Sequence, residues 1–189
     1  MSYDYTIKEE ATYVVNLGSN ATEDKFHALY SEILTTWFPT SKGYIIDHQV
    51  LGEGGKPEYI VVRHAGGHRN LLLIVELKRP AKWNDAGKQE VLRDLTDYIE
   101  GRFDLTQYKT IYGVGGIGLH WMACKMEKSG LHAPATVLDW HDNISSDQSY
   151  HAFKTLADLV YNIQLWGVEL TNCIEDYVKA SLFCWGTGG

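Results

Sequence analysis

The stretch from Pro57 to Lys78 constrains the fold of this chain more than any other segment. It contains two β-rich runs, Tyr59 to Arg63 and Leu71 to Leu77, on either side of a turn-forming segment with Gly66-Gly67. Such a pattern is typical of an antiparallel β-hairpin. The second run is continuously apolar from Leu71 to Val75, which predicts a central strand covered on both faces.

The position of the turn determines which residues of the two strands face each other. A turn centred on Gly67 predicts three facing pairs, which are Val62 with Leu72, Ile60 with Ile74, and Glu58 with Glu76. Because side chains alternate between the faces of a strand, Lys78 shares a face with Glu76, roughly 6.6 Å further along. The hairpin therefore places two acids and one lysine on one surface.

The facing acids Glu58 and Glu76 require compensation. Directly opposed side chains have Cβ atoms about 4.5–5.5 Å apart, and like charges at that distance destabilise a sheet. Lys78 alone could neutralise the pair, or the two carboxylates could bind a divalent cation such as Mg²⁺, which prefers oxygen ligands. Solvation of both charges at the strand ends is the third alternative.

Two short segments, Pro57-Glu58 and Glu76-Leu77-Lys78, together resemble the motif of the PD-(D/E)XK nuclease superfamily. In that superfamily, an acid at the start of one strand and an acid-x-lysine on the next strand form the metal site. Glu58 stands where the motif usually has Asp, and its extra methylene changes the reach to the metal. The resemblance covers about residues 22 to 125 and implies a restriction-endonuclease-like core.

The resemblance also implies a function. It predicts a phosphodiesterase that cleaves DNA or RNA, with Mg²⁺ or Mn²⁺ held by Glu58, Glu76 and the backbone carbonyl of Leu77. Lys78 would position the attacking water or stabilise charge on the transition state. Nucleic acid is then the expected partner, and a homodimer is a further expectation because many such nucleases form one.

Two supporting positions follow from the same resemblance. Gln89 lies on the first turns of a predicted helix after the acid-x-lysine strand, where members often carry a Gln. The alternative for Gln89 is a solvated helix position. The first core helix often adds an acid that points at the metal, and Glu32 and Glu23 are the two candidates.

The periodicity of apolar residues predicts the elements around the hairpin. In chain order, the core elements are a helix from Thr22 to Pro39, a strand over 44–51, the hairpin, a helix over 85–102, and glycine-broken extended runs within 108–125. This order, α-β-β-β-α-β, is that of the nuclease core. The chain is predicted to be one α/β (α+β) domain, residues 1–189, with a central mixed β-sheet flanked by helices.

Two regions lie outside the predicted core. Residues 1–21 are predicted to be a lead-in with a short strand at Tyr13 to Val15. Residues 135–183 are predicted to be peripheral, with a strand over 135–140 and one or two amphipathic helices from about 149 to 183.

Composition limits the class of partner and the compartment. The net charge of −7 does not favour a broad electrostatic grip on a phosphate backbone. It supports an alternative function, in which a catalytically inactive nuclease-like fold acts as an interaction or effector protein with a protein partner. The three cysteines lack paired spacing, and neither a secretory signal nor a membrane-length apolar run is seen. An intracellular protein, cytoplasmic or nuclear, is therefore expected.

A third function is indicated by the glycines from Gly113 to Gly118, which fit the GxGxxG pattern and precede Asp139 by about twenty residues. This sequence pattern is found in dinucleotide-binding βαβ units, in which the N-terminus of a helix binds the pyrophosphate of the dinucleotide. A glycine-bearing strand or bulge is the stronger alternative. The eight histidines are scattered, and each is predicted to be a surface or capping residue.

Overall fold

The computed structural model describes residues 2–49, 52, 55–65, 67–129 and 134–163. Its six-stranded sheet has the strands in chain order. They are β1 (Tyr44–His48), β2 (Tyr59–Ala65), β3 (His68–Lys78), β4 (Thr110–Ile117), β5 (His120–Glu127) and β6 (Ala135–His141). Neighbouring strands are antiparallel except for β3 and β4, which are parallel. This is the mixed sheet of the predicted fold class.

Helices cover both faces of the sheet. They are α1 (Tyr5–Asn16), α2 (His27–Trp37), α3 (Asp85–Glu100) and α4, which is described over 147–163. Helices α1, α2 and α4 pack on one face of the sheet and share one apolar core with it, whereas α3 packs on the opposite face. Strand β3 contributes to both cores, as its continuous apolar run predicts. Within the described ranges, no helix combines the length and apolarity that crossing a bilayer requires.

The open end of the hairpin pairs as predicted. Ile60 faces Ile74, and the ladder runs one pair further, to Tyr59. The next position outward therefore brings Glu58 opposite Glu76. Both acids are at least nine-tenths buried as residues.

The closed end of the hairpin differs from the prediction. Val62 faces Leu71 rather than Leu72, because Leu72 is an extra residue that forms a bulge in β3. Ala65 faces His68, so the turn is centred half a residue earlier than Gly67. The bulge shifts the register by one residue, which cancels the displaced turn centre and restores the predicted pairing at the acids.

The predicted strand at Tyr13 to Val15 is wrong, because these residues belong to helix α1. The carboxylate of Asp4 caps this helix and accepts a hydrogen bond from the amide of Ile7 at 3.0 Å. Ile7, Ala11 and Val14 recur at helical spacing and are all buried. Their burial against the core outweighs the weak β preference of two adjacent valines.

The other predicted elements are present with shifted ends. The helix predicted from Thr22 begins as a 3₁₀ turn, Glu23–Phe26, and becomes α-helical at His27. The strand predicted over 44–51 ends at His48, and the helix predicted over 85–102 ends at Glu100. The C-terminal helical prediction is confirmed over 147–163, and its remainder lies outside the described residues.

The dinucleotide-binding prediction is also wrong. Gly113 to Ile117 belong to β4, and Gly118, with φ at 60°, turns the chain into β5 rather than into a helix. The glycines instead permit close packing, since a Cβ on Gly115 would collide with Val91 of α3. Asp139 lies exposed on β6.

Candidate active site

The candidate active site lies at the open end of the hairpin, between the sheet and α3. The alternation of β3 directs Glu76 and Lys78 to the α3 face, whereas the flanking Val75 and Leu77 join the opposite core. Glu76 pairs with Gly115 and Lys78 with Ile117 of β4. After a 3₁₀ turn at Pro80–Lys82, α3 runs back over this face and adds its own acidic residues.

Lys78 is held between two carboxylates. Its Nζ lies 2.6 Å from Glu76 Oε1 and 2.8 Å from Asp94 Oδ2, with Glu90 further away at 3.9 Å. Burial lowers the pKa of the Lys78 ammonium, but the hydrogen bonds to Asp94 and Glu76 together raise it well above its usual range. Lys78 therefore carries a fixed positive charge at the site.

Glu76 has one carboxylate oxygen that the protein does not satisfy. Its side chain is only 5% exposed, and Oε2 is buried without a hydrogen-bond partner. Burial raises the pKa of Glu76 to about 7, although the hydrogen bond and charge of Lys78 oppose this shift. The charges of Asp94 and Glu58 make the two smallest contributions to this value, and both raise it. A buried carboxylate oxygen with no partner is costly, so a cation at Oε2 would be stabilising.

Glu58 has two partners from neighbouring elements. Its Oε2 lies 2.8 Å from Nε2 of His27, at the start of α2, and accepts a hydrogen bond from Gln49 Nε2 at 3.2 Å. The His27 nitrogen is at contact distance but lacks hydrogen-bond alignment. His27 differs from the prediction that every histidine is a surface or capping residue, and its sequence spacing contains no signal that would have identified it.

The remaining predicted residues lie on the exterior. Glu23 and Glu32 are exposed, and α2 contributes His27 to the site instead of either acid. Gln89 is exposed on α3, one position before Glu90. The α3 residues that reach Lys78 are Glu90 and Asp94, which are four residues apart and share a helix face. The roles assigned to all predicted site residues stay predictions.

The donor set is compatible with a hard divalent cation that keeps part of its water shell. Across the described ranges, no three His, Cys, Asp or Glu side chains converge as a metal-binding group. Glu58 and Glu76 still supply two carboxylates, and Mg²⁺ in proteins is commonly bound by one or two carboxylates with water completing the shell. The unpartnered Oε2 of Glu76 fits this arrangement.

The fold has a counterpart among solved structures. The chain is similar to the type IIG restriction endonuclease BpuSI, with a TM-score of 0.51 and 17% sequence identity. The match covers 72% of this chain but only 17% of BpuSI. It confirms the predicted restriction-endonuclease-like fold. No family model matches the chain, and no curated protein does.

Proposed function

We propose that this chain is a Mg²⁺- or Mn²⁺-dependent phosphodiesterase that cleaves DNA or RNA. The observation that carries the proposal is the buried, unpartnered Oε2 of Glu76, which lies beside Lys78 and opposite Glu58. The restriction-endonuclease-like fold supports the same conclusion. BpuSI is by its name a restriction endonuclease, and nuclease activity is extended from it to this chain as part of the proposal.

Each residue has a defined task in this proposal. Glu58, Glu76 and the backbone carbonyl of Leu77 would hold the cation, which would polarise the scissile phosphate and lower the pKa of the attacking water. Lys78 would stabilise the negative charge that develops on the phosphoryl oxygens. Because Glu76 and Asp94 already fix its ammonium group, this electrostatic contribution requires little reorganisation.

A cleavage assay with matched variants tests the proposal. Labelled single- and double-stranded DNA and RNA are incubated with the protein in Mg²⁺, Mn²⁺ or EDTA. Glu76→Gln and Lys78→Met should abolish cleavage, whereas Glu100→Gln and Lys109→Met, which change exposed residues, should retain it. Cleavage in EDTA, or cleavage that survives both site variants, would refute the proposal.

A second candidate function is that of a non-catalytic interaction or effector protein with a protein partner. The observation that favours it is the internal pairing of the site charges. Lys78 bonds both Glu76 and Asp94, while Glu58 contacts His27 and Gln49. Absence of cleavage with every substrate and cation, together with an unchanged melting temperature in Mn²⁺, would favour this candidate over the enzyme.

A further inference from the structure

The two acids of the candidate active site each have one carboxylate oxygen that the protein holds and one that it does not. Oε1 of Glu76 accepts a hydrogen bond from Lys78 at 2.6 Å, and its Oε2 is buried without a partner. Glu58 makes both of its side-chain contacts through Oε2, with Nε2 of Gln49 at 3.2 Å and Nε2 of His27 at 2.8 Å. In the part of the chain that the structure describes, Oε1 of Glu58 has no hydrogen bond or ion pair. One oxygen of each acid is therefore available to a cation.

Gln49 binds Glu58 through its backbone as well as through its side chain. The last facing pair of β1 and β2 is His48 with Tyr59. One residue further along, the backbone amide of Gln49 donates a hydrogen bond to the carbonyl oxygen of Glu58 at 2.9 Å. The side-chain amide of the same residue donates to the Glu58 carboxylate. Gln49 thus fixes both the strand end that carries Glu58 and the orientation of its carboxylate.

The backbone of Gln49 has an unfavourable conformation. Its φ is 49°, and among the described residues it is the only one other than glycine with a positive φ. This left-handed region brings Cβ close to the following carbonyl oxygen, and glycine or asparagine adopts it more readily than glutamine does. Such conformations cluster at functional sites, where the surrounding structure maintains them. The conformation at Gln49 therefore needs a reason, and the contact of its side chain with Glu58 supplies one.

The length of the Glu58 side chain makes such a contact useful. Glutamate has one more rotatable bond than aspartate, and ordering that bond costs conformational entropy. A donor that holds one carboxylate oxygen lowers this cost at the moment of cation binding, because the carboxylate is already ordered. Hydrogen-bond partners that orient the ligands of a metal typically contribute about 10–100-fold to its affinity.

We propose that Gln49 is a positioning residue of the cation site. It holds Oε2 of Glu58 and so leaves Oε1 free to bind the cation, together with Oε2 of Glu76. The inference rests on the proposed function, because the cation is the one that the proposed phosphodiesterase uses. Cation binding is measured without a nucleic acid, so the inference is tested separately from cleavage.

Electron paramagnetic resonance of unbound Mn²⁺, recorded on the full chain without nucleic acid, measures the Kd. Gln49→Met removes the amide and keeps a side chain of similar length, so it should raise the Kd by about 10–100-fold. The matched control is Gln107→Met, which changes an exposed glutamine next to Asn70, at the other end of β3, and should change the Kd less than twofold. Glu58→Asp draws the carboxylate back from the amide by one methylene, so Gln49→Met should raise the Kd less in that background.

Gln49→Gly separates a positioning role from a structural one. Glycine removes the amide and adopts the left-handed conformation without strain, so the melting temperature of the metal-free protein should be no lower than that of the wild type. The Kd should rise as it does in Gln49→Met. A purely structural role predicts the opposite, a lower melting temperature with an unchanged Kd.

The outcomes distinguish this inference from the catalytic proposal. An unchanged Kd in Gln49→Met, or an equal effect of this change in the Glu58→Asp background, would overturn the inference even if the protein cleaves DNA. A raised Kd in both Gln49 variants of a protein that cleaves no substrate would support the inference and refute the catalytic proposal. A wild type that binds no Mn²⁺ would overturn the inference as well.

Discussion

Replacing Glu76 with Gln should remove a large pH dependence from the folding stability of the metal-free protein. Burial raises the pKa of Glu76 from 4.5 to about 7. The folded state therefore binds this proton more tightly than the unfolded state does. The stabilising contribution of the protonated group is complete below pH 4.5 and is lost as the pH rises through about 7.

The magnitude follows from the size of the shift. The pKa of Glu76 is 4.5 in the unfolded state and about 7 in the folded state. Because a pKa difference of one corresponds to about 1.4 kcal/mol, the full effect on the free energy of unfolding is about 3 kcal/mol. The side chain is only 5% exposed, so solvent screens the effect little. The pKa of about 7 already includes the opposing attraction of Lys78. Gln does not titrate, and the variant should gain stability relative to wild type as the pH rises.

Urea denaturation in EDTA, followed by tryptophan fluorescence, measures this effect. The difference in unfolding free energy between Glu76→Gln and wild type should grow by about 2–3 kcal/mol between about pH 5 and about pH 8, because most of the full effect falls in this window. Glu32→Gln, which changes an exposed acid on α2, is the control and should show little change in its difference from wild type. A Glu76→Gln difference that stays constant within about 0.5 kcal/mol would refute the reasoning.

Three further predictions concern the site and its support. Asp94→Asn should lower the unfolding free energy by about 1.5–3 kcal/mol, because it weakens a charged hydrogen bond of Lys78, and an unchanged urea midpoint would contradict this. Mn²⁺ at a hundredfold excess over its Kd should stabilise the wild type by about 2.7 kcal/mol in a thermal-shift assay, and equal stabilisation of Glu58→Gln would exclude Glu58 as a ligand. Gly115→Ala should cost about 1–3 kcal/mol in urea unfolding, because its Cβ collides with Val91, and wild-type stability would show that α3 does not pack as closely as described.

Local pattern was sufficient to predict the core order and one end of the hairpin. The alternation of side chains and the glycine turn predict which residues face each other only when the exact position of the turn is known. The predicted pairing of Ile60 with Ile74 is correct because two departures from the predicted register cancel. The turn is centred half a residue earlier than predicted, and Leu72 forms a bulge. An apolar run of leucines contains no local mark for a bulge. Helix α1 was missed because two adjacent valines favour a strand locally, while the burial that decides the outcome depends on distant core residues.

The same limit applies to the site. Glu58 directly precedes β2, and Glu76 and Lys78 lie at the end of the next strand, β3, so a short-range pattern was enough to predict that they are close. Asp94 reaches Lys78 only because α3 crosses back over β3, and the angle of that crossing is set by packing against the sheet. His27 comes from a helix on the other face, and no residue spacing connects it with Glu58.

The charges at this site link the raised pKa of Glu76 with the proposed binding of a divalent cation. Four carboxylates, those of Glu58, Glu76, Glu90 and Asp94, lie near the ammonium groups of Lys78 and Lys82, and the exposed guanidinium of Arg93 lies 3.5 Å from Asp94. When these groups are ionised, the acids outnumber the cations by one, and the Glu76 carboxylate, only 5% exposed, is the most deeply buried of them. A buried charge is unfavourable without a counterion. Retention of a proton by Glu76 removes this buried charge, and a divalent cation at Oε2 would offset it. The raised pKa of Glu76 and its proposed affinity for a divalent cation therefore share one origin, a carboxylate that is buried with one oxygen unpartnered. In a non-catalytic protein, a proton or a cation of the partner would have to offset that buried charge.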